Sequence, residues 1–129
     1  MKLKSFLALH SGVALICGLG LLTAPKRLLT LCGLDLPGDG ALVGQLLGGA
    51  LLGLALLSWL SREVNDPVAL RAVLAGLLLF NASAMVTLAL SSLSGMLNPV
   101  GAGLAAVQLT LSVATGLYLR LPASGPPRS

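Results

Sequence analysis

Four long apolar stretches, almost free of charge, occupy residues 5–23, 41–60, 72–90 and 99–119. Each is long enough to cross the ~30 Å hydrocarbon core of a bilayer at ~1.5 Å of helix rise per residue. Start signals sharpen their edges. Asp66-Pro67 and Asn98-Pro99 each place an N-cap residue before a proline at the first helical position, and Asp39-Gly40 is a weaker version. The pattern predicts helices over about 5–23, 40–61, 67–91 and 99–120. The expected fold class is all-α: an integral membrane, antiparallel four-transmembrane-helix bundle. It forms one domain over 1–121, followed by a flexible Pro-, Ser- and Gly-rich tail over 122–129.

The connection after the first span has its own pattern. Residues 24–39 read APKRLLTLCGLDLPGD, with Pro25 leading, Lys26 and Arg27 charged, and Leu28, Leu29, Leu31 and Leu34 apolar. This predicts a short interfacial helix from Pro25 to about Cys32, ended by Gly33. Lys26, Arg27, Leu28 and Leu31 are its candidate interfacial residues. The loop is either a lid or docking segment, or a connector resting on head groups, and the connector is the simpler reading.

Composition strengthens the membrane reading. Of 129 residues 56% are hydrophobic and only 9% charged, more apolar surface than a water-soluble domain of this size can hide. The net charge of +4 sits at span ends. Lys2, Lys4, Arg62, Arg71, Arg120 and Arg128 fall on one side, Lys26 and Arg27 on the other, so the positive-inside bias puts both termini in the cytoplasm. A cleaved signal peptide fits the first span less well. Its apolar run is long, and Leu22-Thr23-Ala24 followed by Pro25 is a poor cleavage site. Cys17 and Cys32 are too few for a disulfide framework and are expected to be free thiols; a bridge between them is the less favoured alternative.

Helices in lipid associate through small residues and polar contacts. Gly40, Gly44 and Gly48 recur every four residues in the second span, continued by Ala55 and Ser58, while Gly49 and Gly53 form a roughly opposite face. Two small faces predict a central position for this helix. The last span carries Gly101, Ala105, Gln108, Ser112, Thr115 and Gly116 on one stripe. The third offers Ala72, Gly76, Ser83 and Thr87 on one face with Asn81 nearly opposite, and the first offers His10, Ala14, Cys17 and Gly18.

His10, Gln45, Asn81 and Gln108 are the polar residues at membrane depth, and such groups are site candidates because leaving them unpaired in hydrocarbon is expensive. Their simplest role is hydrogen bonding between helices; the alternative is to line a pocket for a lipid, quinone or pigment. A single histidine is a weak metal signal, and Cys17, seven residues on, is ~10 Å away along the helix, too far to share an ion. No metal and no cofactor are therefore expected. All four acids, Asp35, Asp39, Glu63 and Asp66, lie in loops, which argues against proton-coupled export. There is no paired-cysteine motif, no HExxH, no P-loop and no dinucleotide fingerprint. Asn81-Ala-Ser matches a glycosylation sequon but lies mid-span. Aromatics at 3% disfavour a stacking-lined cofactor pocket; Phe6, Trp59, Phe80 and Tyr118 read as anchors or packing residues.

The segments GLGLLTAPKRLLTLCGLDLPG over 18–38, GQLLGGALLGLALL over 44–57 and NASAMVTLALSSLSGMLNPVG over 81–101 together resemble the small bacterial DoxX-like four-helix membrane proteins. The resemblance implies four helices and a bacterial inner (cell) membrane, multi-pass. That group has no uniform activity, so no catalytic residue transfers. The expectation is a non-enzymatic accessory or structural subunit, a homo-oligomer or part of a larger membrane complex, with the lipid bilayer as its surroundings and no nucleic-acid partner. One helix face and the 26–36 loop would form its docking surface. The alternatives are a binder of a lipid, quinone or pigment and, less favoured, a small transporter or channel.

Overall fold

In the computed structural model, which describes residues 2–35 and 37–120, the chain is all helical, with no strand among the described residues. Helix α1 spans Leu3–Thr23, α2 Pro25–Leu31, α3 Gly40–Leu60, α4 Pro67–Leu93 and α5 Pro99–Arg120, and a 3-10 turn at Ser61–Glu63 closes α3. Four of them, α1, α3 with its turn, α4 and α5, are long and apolar enough to cross a membrane. The expected tail over 122–129 lies outside the described residues, as does Leu36 of the first loop.

The local chemistry explains the helix ends. Asp66 Oδ1 accepts from the Val68 N–H at 2.9 Å, and Asn98 Oδ1 accepts from the Gly101 N–H at 3.0 Å, so α4 and α5 both start with a side-chain cap ahead of proline. Asp39 makes no side-chain cap on α3. Two helices stop alike. After α2, Gly33 takes φ +89° and the Leu34 N–H reaches back to Leu29 O at 2.9 Å; after α4, Gly95 takes φ +75° and the Met96 N–H reaches Ser91 O at 3.0 Å. A left-handed residue is what lets the chain fold back onto its own last carbonyls, and glycine adopts it without a Cβ clash.

Packing groups the long helices as α1 with α3 and α4 with α5. Along the first pair, Lys4 meets Glu63, His10 meets Ser58, Ser11 meets Ala55 and Gly18 meets Gly48. A Cβ on Gly48 would lie 2.8 Å from both Gly18 O and Leu22 N, so the two backbones touch there. The pairs join through a core of Phe6, Leu7, Leu74, Leu77 and Leu111. This core draws its large side chains from α1, α4 and α5. Helix α1 is the most enclosed of the four, while α3 packs along α1 and also reaches α4. Leu54 of α3 also packs against this core.

Short helix α2 is held at both ends. Pro25 packs on Gly44 of α3, where a Cβ would meet Pro25 Cβ at 2.9 Å. At the other end Asn98 donates from Nδ2 to Leu31 O (2.8 Å) and from its backbone N–H to Cys32 O (3.1 Å). Gly101 lies against the same carbonyl, with a Cβ there only 2.6 Å from Cys32 O. Thus α2 bridges the start of α3 to the start of α5.

Candidate functional site

The polar centre of the molecule is a three-helix contact around His10 of α1. Nδ1 shares a hydrogen bond with Ser58 Oγ of α3 at 2.9 Å. Nε2 lies 3.2 Å from Asn81 Nδ2 and 3.4 Å from its Oδ1, on α4. His10, Ser58 and Asn81 are all buried. A neutral imidazole has one donor and one acceptor, and here both are used. The shorter distance to the amide nitrogen fits Asn81 donating to Nε2 while Nδ1–H donates to Ser58. One turn earlier, the Phe6 ring lies 6.2 Å from His10 and 5.1 Å from Tyr118 of α5, so side chains of all four long helices meet in this region. Beside it the Ser11 hydroxyl donates to Ala55 O at 2.8 Å, a second bond between α1 and α3.

The four intramembrane candidates do not converge. His10 and Asn81 meet. Gln45 lies exposed on α3, its Nε2 3.4 Å from Leu22 O. Gln108 is half-buried on α5, and its Oε1 is buried without a hydrogen-bond partner. A single pocket lined by Gln45, Asn81 and Gln108 is therefore not what the structure assembles. Ser11 was not singled out from sequence, and nothing in its surroundings along the chain marks it. Ser58 was legible as a member of the Gly44–Gly48–Ala55 face, though not as the partner of His10.

The small residues divide sharply. Gly44, Gly48 and Gly101 sit at close backbone approaches, as described above. Gly40 opens α3 beside a cavity, and Ala105 is half-buried on α5. Gly49 and Gly53 have no atom within 4 Å of the place a Cβ would occupy, so they pack against nothing within this chain. On α4 the buried face is Leu74, Leu77 and Asn81, while Ala72, Gly76, Ser83 and Thr87 point outward. The expected small-residue seam on α4 is replaced by leucines, because the space beside Phe6 and Leu7 is too wide for alanine or glycine to fill.

The interfacial candidates sit on α2. Lys26 and Arg27 are exposed, as is Leu31, whereas Leu28 is half-buried over Gly20. Both cysteines are free. Cys32 is buried at the end of α2, and that burial pushes its thiol pKa up from the ordinary value. Among the described residues no three His, Cys, Asp or Glu side chains gather as a metal site would need. At the opposite end of the molecule Lys4 pairs with Glu63 at 3.3 Å, both exposed, and the Arg62 guanidinium lies 4.1 Å over the Trp59 ring. The chain matches no protein-family model, no curated protein and no solved structure.

Proposed function

We propose that this is a non-enzymatic integral membrane protein, an antiparallel bundle of four transmembrane helices that serves as an accessory or structural subunit. The observation that carries the reading is an inverted polarity. Ile16, Leu46 and Leu79 are 74%, 67% and 73% exposed, while His10, Ser58, Asn81 and Thr115 are buried. Water would penalise that outer surface; hydrocarbon accepts it and in turn demands that the inner polar groups satisfy one another. The order of the α1–α3 contacts, Lys4 with Glu63 through Gly18 with Gly48, supports the antiparallel arrangement.

Binding His10, Ser58 and Asn81 to each other uses polar groups as connectors between helices. The open small-residue positions, Gly49 and Gly53 on α3 and Ala72 and Gly76 on α4, favour close contact with another membrane segment, of a second copy or of a larger complex. Lys2, Lys4, Arg62, Arg71 and Arg120, against Lys26 and Arg27, support cytoplasmic termini. The DoxX-like resemblance supports a bacterial inner membrane.

Native mass spectrometry on protein extracted gently from its own membrane tests the subunit reading. The expected result is an assembly of defined stoichiometry. A lone protomer carrying a small molecule enclosed among its four long helices would replace it with the ligand-binding alternative.

A further inference from the structure

We propose that the crevice between α2 and the start of α3 binds the head group of a zwitterionic phospholipid, with the phosphate at Lys26 and Arg27 and the primary ammonium at Asp35. The inference rests on the membrane reading above. Two cavities of about 340 and 380 Å³ adjoin there, within the usual range of small-molecule sites, and Lys26 and Ala41 line both. The more enclosed one also presents Thr30 and Asp35 above Leu29 and Leu34; the other adds Arg27.

The charges at this end are unspent. Among the described residues the ion pair is Lys4–Glu63, at the far end of the molecule. Lys26 and Asp35 line one cavity without forming a salt bridge. Opposite charges held apart around a crevice complement a ligand carrying both charges in the reverse order, and a charge-assisted hydrogen bond at each end fixes its direction. The Thr30 hydroxyl donates to Lys26 O at 2.8 Å, which leaves its oxygen free to accept from an ammonium.

The site is also pre-formed. Pro25 against Gly44 and Asn98 against Leu31 O and Cys32 O hold α2 in place, so little ordering is needed on binding. The crevice lies at the ends of the apolar helices α1 and α3, the level at which lipid head groups sit when such helices span a bilayer.

The test is native mass spectrometry of delipidated protein titrated with phosphatidylethanolamine, phosphatidylglycerol or free phosphoethanolamine. Wild type is expected to bind phosphatidylethanolamine about tenfold more tightly than phosphatidylglycerol, the scale of one charge-assisted contact. Lys26→Ala/Arg27→Ala should lose both lipids, and Asp35→Asn should erase the preference while keeping phosphatidylglycerol. These side chains are exposed, and circular dichroism checks that the variants stay folded. Equal affinity for the two lipids in wild type, or an unchanged preference in Asp35→Asn, overturns the proposal. So does free phosphoethanolamine binding as tightly as the lipid, which would assign the crevice to a soluble ligand. Flotation with vesicles separates the two levels: failure to float with any lipid refutes the membrane reading, whereas flotation without a head-group preference refutes only this site.

Discussion

Gly48 and Gly49 are neighbours in sequence, yet the structure predicts opposite responses to alanine. A Cβ on Gly48 would stand 2.8 Å from Gly18 O and Leu22 N and 3.1 Å from Leu21 C. All three are backbone atoms of α1, so no rotamer change relieves the clash. The helices must part by about half an ångström, and a gap of that size forfeits about a quarter of each dispersion contact across the seam. The Ser11–Ala55 and His10–Ser58 bonds stretch with it. The expected cost of Gly48→Ala is about 1–3 kcal/mol, the range for overpacking at a site that cannot yield. Gly49→Ala meets nothing within 4 Å and removes a flexible residue from a helix interior, so it should be neutral or stabilising by up to about 1 kcal/mol. Reversible unfolding in mixed micelles, followed by the fluorescence of Trp59, the chain's one tryptophan, measures both. The comparison is made at several protein-to-detergent ratios, so that contacts between protomers show as a concentration dependence. A Gly48→Ala variant as stable as wild type, or a concentration-independent loss above 1 kcal/mol in Gly49→Ala, would refute the reasoning (both thresholds follow from the packing range above).

Other consequences are as direct. Asn81→Leu leaves a buried His10 ring nitrogen without its partner and should destabilise by about 1 kcal/mol, with a His10–Asn81 double-mutant cycle showing coupling of about 0.5–1.5 kcal/mol; strict additivity would mean that the contact is not formed. Asn98→Ala removes the α5 cap and the side-chain tie to Leu31 O while the backbone bond to Cys32 O stays, costing about 1–2 kcal/mol, and amide exchange should quicken at residues 30–34 before it does in α1. Because burial raises the Cys32 pKa, less thiolate is present at any given pH than in a free cysteine. Maleimide labelling of a Cys17→Ser protein should therefore rise at higher pH than in a peptide control, and Asn98→Ala should bring the curve back toward it. Reversing the charge of Lys4 or Glu63 should change stability by less than about 0.5 kcal/mol, since both are exposed.

Much of the architecture is legible along the chain because it is local. Apolar length sets the four long helices, Asp66-Pro67 and Asn98-Pro99 set two of their starts, and Pro25 and Gly33 bracket the short helix; each signal acts within a turn or two of backbone. The Gly44–Gly48–Ala55–Ser58 face was legible too, since four-residue spacing puts small groups on one side wherever the helix goes. The role of α4 was not. Its small residues suggested a seam, but its leucines face the core, because the width of the space they fill is set by Phe6 and Leu7 some seventy positions away.

By itself, then, the sequence determined how many helices there are, where they begin and end, and that their surfaces suit hydrocarbon. Tertiary structure alone decided which helix is most enclosed, which of two glycine faces is covered, and which polar groups meet. Helix formation depends on neighbours in the chain, whereas the pairing of His10 with Ser58 and Asn81, 48 and 71 positions apart, depends on how whole faces fit in three dimensions. Gly48 and Gly49 show the limit most plainly: the same residue type in adjacent places, one pressed against backbone and one open, distinguished only by the direction in which α1 lies.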